Sequence, residues 1–245
     1  MLYLGPEEQT AKEAPIPDWP SCFQQLAATA KDPRLQHFYQ AGVVAADTPL
    51  SKVPFVAIDF ETTGLDPNVH GIVSIGLVPF DIHRIHCRRA RHWIVKPRKP
   101  LGKESVVIHG ITHADVRQAP DLLRILEPLL AALAGRILVV HHRGIERAFF
   151  DAALRERLKE GIRFPVVDTM DLEARLHRGK ATGLWARMLG RKPISIRLAD
   201  SRSRYHLPYY QPHHALTDAL ATAELLQAQI AHHYTPETQI QEIWR

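Results

Sequence analysis

The spacing of hydrophobic residues changes near residue 50 of this chain. Before that point, prolines interrupt two short helical patterns, one over about residues 21–30 and one that begins at Asp32, a residue type that caps helices, followed by Pro33. From Val53, apolar residues are almost continuous until two carboxylates appear, which is typical of a buried central strand. The sequence therefore predicts a helical extension at residues 1–50, followed by a larger domain.

The pattern beyond residue 50 predicts three meandering strands and then alternating helices and strands. The predicted strands cover residues 55–61, 72–80, 92–96, 137–140 and 165–167. The predicted helices cover residues 120–133 and 146–159, and helical segments continue to residue 232. This order is typical of an α/β fold in which helices flank a mixed five-stranded sheet. We assign residues 51–235 to this domain and residues 236–245 to a C-terminal tail.

Composition narrows the class of protein without identifying its chemistry. Of the 245 residues, 45% are hydrophobic and 23% are charged, which is typical of a folded, soluble protein. Two cysteines, Cys22 and Cys87, are too few for a disulfide framework or a four-thiolate zinc site, so we expect a cytoplasmic location. Charged residues interrupt every apolar run before it reaches the roughly 18 residues of a membrane span, and the first residues do not form a signal peptide. The net charge of +5 favours a polyanionic partner.

Two acids end the first predicted strand. Asp59 and Glu61 are two positions apart, so their side chains leave the same face of the sheet and can converge on one site. A bound divalent cation would offset the repulsion between two carboxylates held this close. Exposed acids that merely cap a turn beyond the strand are the alternative.

A second acid-bearing segment lies near the C-terminus. Apolar residues from Leu216 to Ile230 follow a helical spacing, with Asp218 in the first turns and His213 just before them. A carboxylate fixed on a helix and an imidazole on its lead-in would suit a metal ligand and a general base, because an imidazole accepts a proton at neutral pH. A solvated histidine near a helix start is the alternative.

Together these segments resemble a known family. The runs Asp59-Phe60-Glu61-Thr62-Thr63-Gly64 and His213-x-Ala215-x-x-Asp218 are similar to the motifs of the DEDDh 3′–5′ exonucleases, which include proofreading exonucleases and RNase T. His109-Gly110-Ile111-Thr112 and Val167-Asp168-Thr169 resemble further motifs of the family and stand in the same order. The resemblance covers about residues 53–232 and implies an RNase H-like fold.

One motif departs from the family. Where Asn-x-x-Phe-Asp is usual, this chain has His142-Arg143-Gly144-Ile145-Glu146, so Glu146 stands in place of the second aspartate. A glutamate keeps the charge and can still bind a hard cation, but its extra methylene has to be accommodated. A displaced surface acid is the alternative.

The resemblance implies a role for each matching residue. It implies that two divalent ions, Mg²⁺ or Mn²⁺, are held by Asp59, Glu61, Glu146 and Asp218. His213 would be the general base, and Glu61 would also contact the terminal 3′-hydroxyl. The implied reaction releases nucleoside 5′-monophosphates from the 3′ ends of single-stranded DNA or RNA. The implied contacts to that strand come from Thr62, Thr63, Leu65 and His109.

Other polar groups leave several interpretations open. Asp168 is interpreted as an acid that supports a turn or the neighbouring ligands, and His141 and His142 compete with His213 as the base. Two basic clusters could extend the path of the phosphates: one comprises Arg84, Arg88, Arg89 and Arg91, the other Arg187, Arg191, Lys192, Arg197, Arg202 and Arg204. The alternative function is a binding module, for nucleic acid or a protein partner, that keeps this scaffold but has weakened catalysis.

Overall fold

The structure, a computed structural model, describes residues 15–98, 110–177 and 194–245. The strands are β1 (Phe55–Thr62), β2 (Ile72–Phe80), β3 (Arg91–Ile94), β4 (Ile137–Val140) and β5 (Val166–Asp168). The helices are α1 (Trp19–Thr29), α2 (Pro33–Gln40), α3 (His113–Gln118), α4 (Leu122–Leu133), α5 (Arg143–Leu158), α6 (Thr169–His177), α7 (Leu198–Arg204) and α8 (Ala215–His233). Short 3₁₀ helices lie at Leu50–Lys52, Cys87–Arg89 and Ile240–Glu242.

The described strands form one mixed sheet in the order β3-β2-β1-β4-β5. β1, β2 and β3 are antiparallel neighbours, whereas β4 and β5 run parallel to β1. β1 therefore lies in the middle of the sheet, which explains its nearly continuous apolar run. The predicted α/β fold with a five-stranded mixed sheet is confirmed. α5 begins at Arg143 rather than at residue 146, because the chain leaves β4 through a sharp turn at His142, whose φ is 134°.

α8 crosses one face of the sheet over β1 and β2. Its first residue lies directly on Gly76 of β2, where a Cβ would come within 2.2 Å of the carbonyl carbon and oxygen of Ala215. Only a residue without a side chain permits so close an approach. Gly76 therefore sets the height at which the start of α8 rests on the sheet.

The N-terminal helices pack on the same core as the sheet. α2 begins as predicted, with the Asp32 carboxylate accepting the backbone N–H of Arg34 at 2.9 Å. Aromatic rings from both helices contact one another, and Phe23 meets Phe38 and Tyr39 at centroid distances of 5.5 and 5.2 Å. These rings belong to the buried cluster that contains β1. The boundaries at residues 50 and 235 stay predictions. Within the described ranges, no helix has both the length and the apolar character needed to cross a membrane.

Candidate active site

Three carboxylates meet at the second half of β1. Asp59 and Glu61 leave the same face of this strand, and Asp218 comes from the first turn of α8. One oxygen of each carboxylate lies within 4.8 Å of the other two. The structure thus brings together acids that are far apart in the sequence.

Burial and like charge both disfavour ionisation of this cluster. Burial raises the pKa of Asp59 well above its ordinary value, and the charges of Glu146, Glu61 and Asp218 raise that pKa further. Burial, and then the charge of Asp218, raise the pKa of Glu61 to about 8. Among the described residues, no ion pair involves these acids. Hard divalent cations prefer carboxylate oxygens and would offset the repulsion, so the cluster fits a divalent metal ion.

Glu146 lies beside the three clustered acids, in the first turn of α5. Its residue is only 4% exposed, and its Oε2 is buried without a hydrogen-bond partner. Burial raises its pKa to about 8, partly opposed by a hydrogen bond from its own backbone N–H, while the charge of Asp168 raises the pKa further. The longer side chain thus folds back onto the start of its helix. Glu146 is not one of the three acids whose oxygens lie within 4.8 Å of one another, which are Asp59, Glu61 and Asp218. It is near enough for its charge to raise the pKa of Asp59.

His213 occupies the turn that leads into α8. It is exposed, its φ is 72°, and its backbone N–H donates to Oδ2 of Asp218 at 2.7 Å. The hydrogen bond and the charge of His213 both lower the pKa of Asp218, against the larger effect of burial, which raises it. This hydrogen bond holds the backbone of His213 beside the acid cluster, and the residue is open to solvent.

Thr63 organises the loop that follows β1. Its backbone N–H donates to the carbonyl of Gly71 at 2.9 Å, and its Oγ1 accepts the N–H of Gly71 at 3.0 Å. The same hydroxyl lies 3.3 Å from Nδ1 of His70. Thr63 is buried, so its side chain braces the loop from inside.

The same loop presents an apolar side chain to solvent. The hydroxyl of Thr62 donates to the carbonyl of Gly64 at 2.6 Å, which closes the turn before Leu65. Leu65 is 56% exposed and follows the acid-bearing end of β1 by three residues. His109, predicted to contact the same strand of nucleic acid, lies outside the described residues.

His141 and Asp168 hold neighbouring elements together. Nδ1 of His141 lies 2.8 Å from Oγ1 of Thr169, and its Nε2 donates to the carbonyl of Ile196 at 3.1 Å. Burial lowers the pKa of His141 to about 4, so the ring is neutral near pH 7 and already occupied on both sides. Asp168 accepts backbone N–H groups from Arg143 and Met170, each at 3.0 Å, and thereby joins the starts of α5 and α6. These contacts support the interpretation of Asp168 as a bracing acid.

Two arginines of the second basic cluster, Arg202 and Arg204, are paired inside the protein, whereas Arg197 of the same cluster is exposed. Arg202 is 3% exposed and donates to the carbonyls of Ala221 and Pro208 and to the carboxylate of Glu224. Arg204 is paired with the buried carboxylate of Glu173. The prediction is wrong for Arg202 and Arg204, because carboxylates and carbonyls of the protein already bind their guanidinium groups. Arg187, Arg191 and Lys192 lie outside the described residues, whereas the arginines of the first cluster, Arg84, Arg88, Arg89 and Arg91, are exposed.

Comparison with known proteins identifies the family. The RNase_T family model, described as Exonuclease, matches residues 56–226. This chain belongs to that exonuclease family, and the membership expected from the motifs is confirmed. A DNA polymerase III subunit epsilon-like protein of Rhodobacter capsulatus is 33% identical over 182 residues, which are 73% of this chain and 24% of that protein. The DNA polymerase III subunit epsilon of Treponema pallidum is 29% identical over 181 residues, 74% of this chain and 78% of that protein.

A further relative agrees with this membership, and solved structures share the fold. A PolC-type DNA polymerase III of Thermotoga petrophila is 27% identical over 73% of this chain, but the match spans only 12% of that protein. The nuclease domain of 3′hExo, a DEDDh family member bound to rAMP, has a TM-score of 0.60 at 16% identity, covering 74% of this chain and 92% of that one. Exonuclease X, in complex with 5′ overhanging duplex DNA, has a TM-score of 0.56 at 22% identity, covering 76% and 96%. These likenesses confirm the RNase H-like fold.

Proposed function

We propose that this protein is a metal-dependent 3′–5′ exonuclease that releases nucleoside 5′-monophosphates from single-stranded DNA or RNA. The observation that carries the proposal is the meeting of Asp59, Glu61 and Asp218 beside the exposed His213, in a chain of the exonuclease family. Such a concentration of acids without a paired arginine or lysine among the described residues is costly unless a cation is bound.

The acid cluster would hold the metal. Asp59, Glu61 and Asp218 provide converging oxygens, and Glu146 supplies a fourth carboxylate next to them. Four carboxylates match the charge of two divalent ions. When bound, such ions lower the pKa of a water molecule and offset the charge that develops on a phosphate and on its leaving oxygen. The unpartnered Oε2 of Glu146 supports its inclusion in this set.

His213 would act as the general base. An imidazole is the side chain suited to taking a proton from water at neutral pH, and this residue lies beside the acids. Because the residue is exposed, that proton can afterwards pass to solvent. The hydrogen bond from its backbone N–H to Asp218 would hold the backbone that carries the ring next to the cluster.

The loop after β1 would hold the end of the substrate strand. Leu65 offers an exposed apolar surface on which a terminal base can stack, and stacking is tolerant of sequence. The carboxylate of Glu61 would accept a hydrogen bond from the terminal 3′-hydroxyl. Thr62 and Thr63 would shape the turn that carries Leu65. Contacts of this kind position the end of a strand without reading the identity of its bases.

The test is hydrolysis of labelled single strands. We expect 5′-mononucleotides to be released with Mg²⁺ or Mn²⁺ and EDTA to stop the release. In the variant His213→Ala, kcat should fall by about 10²- to 10⁴-fold, the range for a lost general base, while calorimetric metal binding is retained. The matched control is His83→Ala, which removes an exposed histidine from the β2–β3 connection.

Two results would contradict the proposal. Absence of EDTA-sensitive release from both DNA and RNA would exclude the exonuclease activity. A wild type that binds these strands but is no faster than His213→Ala would favour the binding module instead. Matched DNA, RNA, short oligoribonucleotides and duplexes in the same assay would establish substrate preference.

Shortening the fourth acid should preserve activity. We expect Glu146→Asp to retain or increase hydrolysis, because the shorter side chain keeps the charge and cannot fold back onto its own backbone N–H in the same way. Glu146→Gln, which keeps the length but removes the charge, is the matched comparison and should be slower than the wild type. Complete loss in Glu146→Asp would show that the site requires the longer acid.

A further inference from the structure

One row of residues crosses three strands beneath the start of α8. Asp59 on β1 pairs with Gly76 on β2, and Gly76 pairs with His92 on β3. Residues paired across a sheet share a face, so Asp59 and His92 lie on the face that α8 covers. Ala215 rests on Gly76 between them. The acid cluster therefore lies on one side of the lead-in to α8, and His92 lies on the other.

His92 contacts this lead-in through its ring. Its imidazole packs against that of His214, with ring centroids 4.8 Å apart and an angle of 38° between the planes. From the sheet, Oγ of Ser74 lies 2.8 Å from Nε2 of His92 and fixes the ring from below. Ser74 is buried and is the cross-strand neighbour of Glu61. His92 thus connects the strand beside the acids to the segment that enters α8.

His214 fixes the first turn of α8. Its Nδ1 accepts the backbone N–H of Thr217 at 3.4 Å as the N-cap, and its carbonyl accepts the N–H of Asp218 at 2.9 Å. The preceding residue, His213, has a left-handed φ and donates its own N–H to Asp218. His214 thus joins the ring contact with His92 to the backbone that directly follows His213.

We propose that His92 is a positioning residue, which by packing against His214 aims His213 at the acid cluster. This inference rests on the proposed role of His213 as the base. His92 belongs to none of the motifs that identify the family in this chain, and its own ring is held by Ser74 and His214 rather than directed at the acids. Its contribution is therefore made through the backbone at residues 213 and 214.

Two substitutions separate the ring contact from other effects. We expect His92→Ala to lower kcat by about tenfold with KM nearly unchanged, less than the ~10²- to 10⁴-fold loss expected when the base itself is removed. His92→Phe keeps a ring against His214 and should restore most of the rate. His83→Ala, which removes an exposed histidine from the connection between β2 and β3, is the control and should match the wild type.

A double variant distinguishes positioning from general loosening. In a His213→Ala background, His92→Ala should cause no further loss, because the residue on which it acts is gone. In the metal-free protein, hydrogen exchange of the His213 amide should be faster in His92→Ala than in the wild type, since its hydrogen bond to Asp218 is less well held. The metal affinity measured by calorimetry should be the same in His92→Ala and in His213→Ala as in the wild type.

The outcomes also separate this inference from the proposed function. If the wild type releases no mononucleotides, the proposed function fails, and the exchange of the His213 amide still tests the contact. If the wild type is active but His92→Ala is equally fast, or loses the same factor in both backgrounds, the positioning role is wrong and the exonuclease assignment stands. If His92→Phe does not recover activity, the ring contact with His214 is not the cause of the loss in His92→Ala, and the positioning role is wrong.

Discussion

Replacing Asp59 with asparagine should lower the hydrolytic rate by roughly 10³-fold, because groups that stabilise charge at the reaction centre usually make the largest single contribution to catalysis. The same substitution should make the metal-free protein more stable. The carboxylate lies among Glu146, Glu61 and Asp218, and these charges together with burial raise its pKa. Asparagine has nearly the same size and no charge. It therefore removes a source of repulsion and, for the same reason, a metal ligand.

The pH dependence of stability checks the electrostatic part of this prediction. Because the folded protein raises the pKa of Glu61 to about 8 and that of Asp59 well above its ordinary value, it holds protons that the unfolded chain has already released. The free energy of unfolding in EDTA should therefore fall as the pH rises from about 4.5 to about 8, by up to about 1.4 kcal/mol per pH unit for each proton. Denaturant titrations near pH 5 and near pH 8 measure this slope.

Added metal and matched variants complete the test. Mg²⁺ or Mn²⁺ should restore the stability of the wild type near pH 8, whereas Asp59→Asn should show a flatter pH profile and little response to metal. Asp47→Asn, at an exposed aspartate, is the control and should keep the wild-type profile. A metal-free wild type whose stability does not fall with pH, or an Asp59→Asn protein that hydrolyses normally, would contradict the account of the acid cluster.

Adding one methyl group at Gly76 should disrupt the site from beneath. A Cβ there would lie 2.2 Å from the carbonyl carbon and oxygen of Ala215 and 2.4 Å from the backbone nitrogen of Leu216, so α8 would have to move. Overpacking of this kind costs about 1–3 kcal/mol of stability. Because Asp218 moves with α8, activity should fall by about 10²-fold, which is the scale of loss expected for a misplacement of about 1 Å.

Stability, metal affinity and activity should change together in Gly76→Ala. Thermal unfolding and calorimetric metal titration measure the first two, and the mononucleotide assay measures the third. Gly144→Ala is the matched control for stability, because a Cβ at that position in α5 meets the ring of His142 at an ordinary 3.4 Å. Normal metal affinity and normal stability in Gly76→Ala would show that the start of α8 does not depend on this contact.

The sequence was sufficient for the fold and for the convergence of the trio. Alternation on a strand places Asp59 and Glu61 on one face, and helical spacing places Asp218 near the start of α8. These rules are local, so they hold whatever the tertiary structure. The family resemblance supplied the long-range step, which local spacing cannot provide, and the family match confirmed that resemblance.

Features that depend on packing between elements were missed. The prediction for Arg202 and Arg204 failed because a sequence shows charge but not the carbonyls and acids that meet it. The row of Asp59, Gly76 and His92 depends on strand register, which the sequence pattern left undetermined. One signal was available: an isolated glycine within the apolar run of residues 72–80 indicates a close approach of another backbone.

The far edge of the sheet has a consequence for self-association. β5 is an edge strand, but Trp244 and Arg245 lie alongside it, and Val166 and Arg245 exchange backbone hydrogen bonds of 3.0 and 2.7 Å. Some of the backbone N–H and C=O groups of β5 that could pair with a strand of another molecule are thus already hydrogen-bonded within the same molecule. At the opposite edge, β3 carries the exposed and basic Arg91, which discourages intermolecular pairing by charge. The two borders of the sheet are therefore protected against aggregation by different means, one by pairing and the other by repulsion.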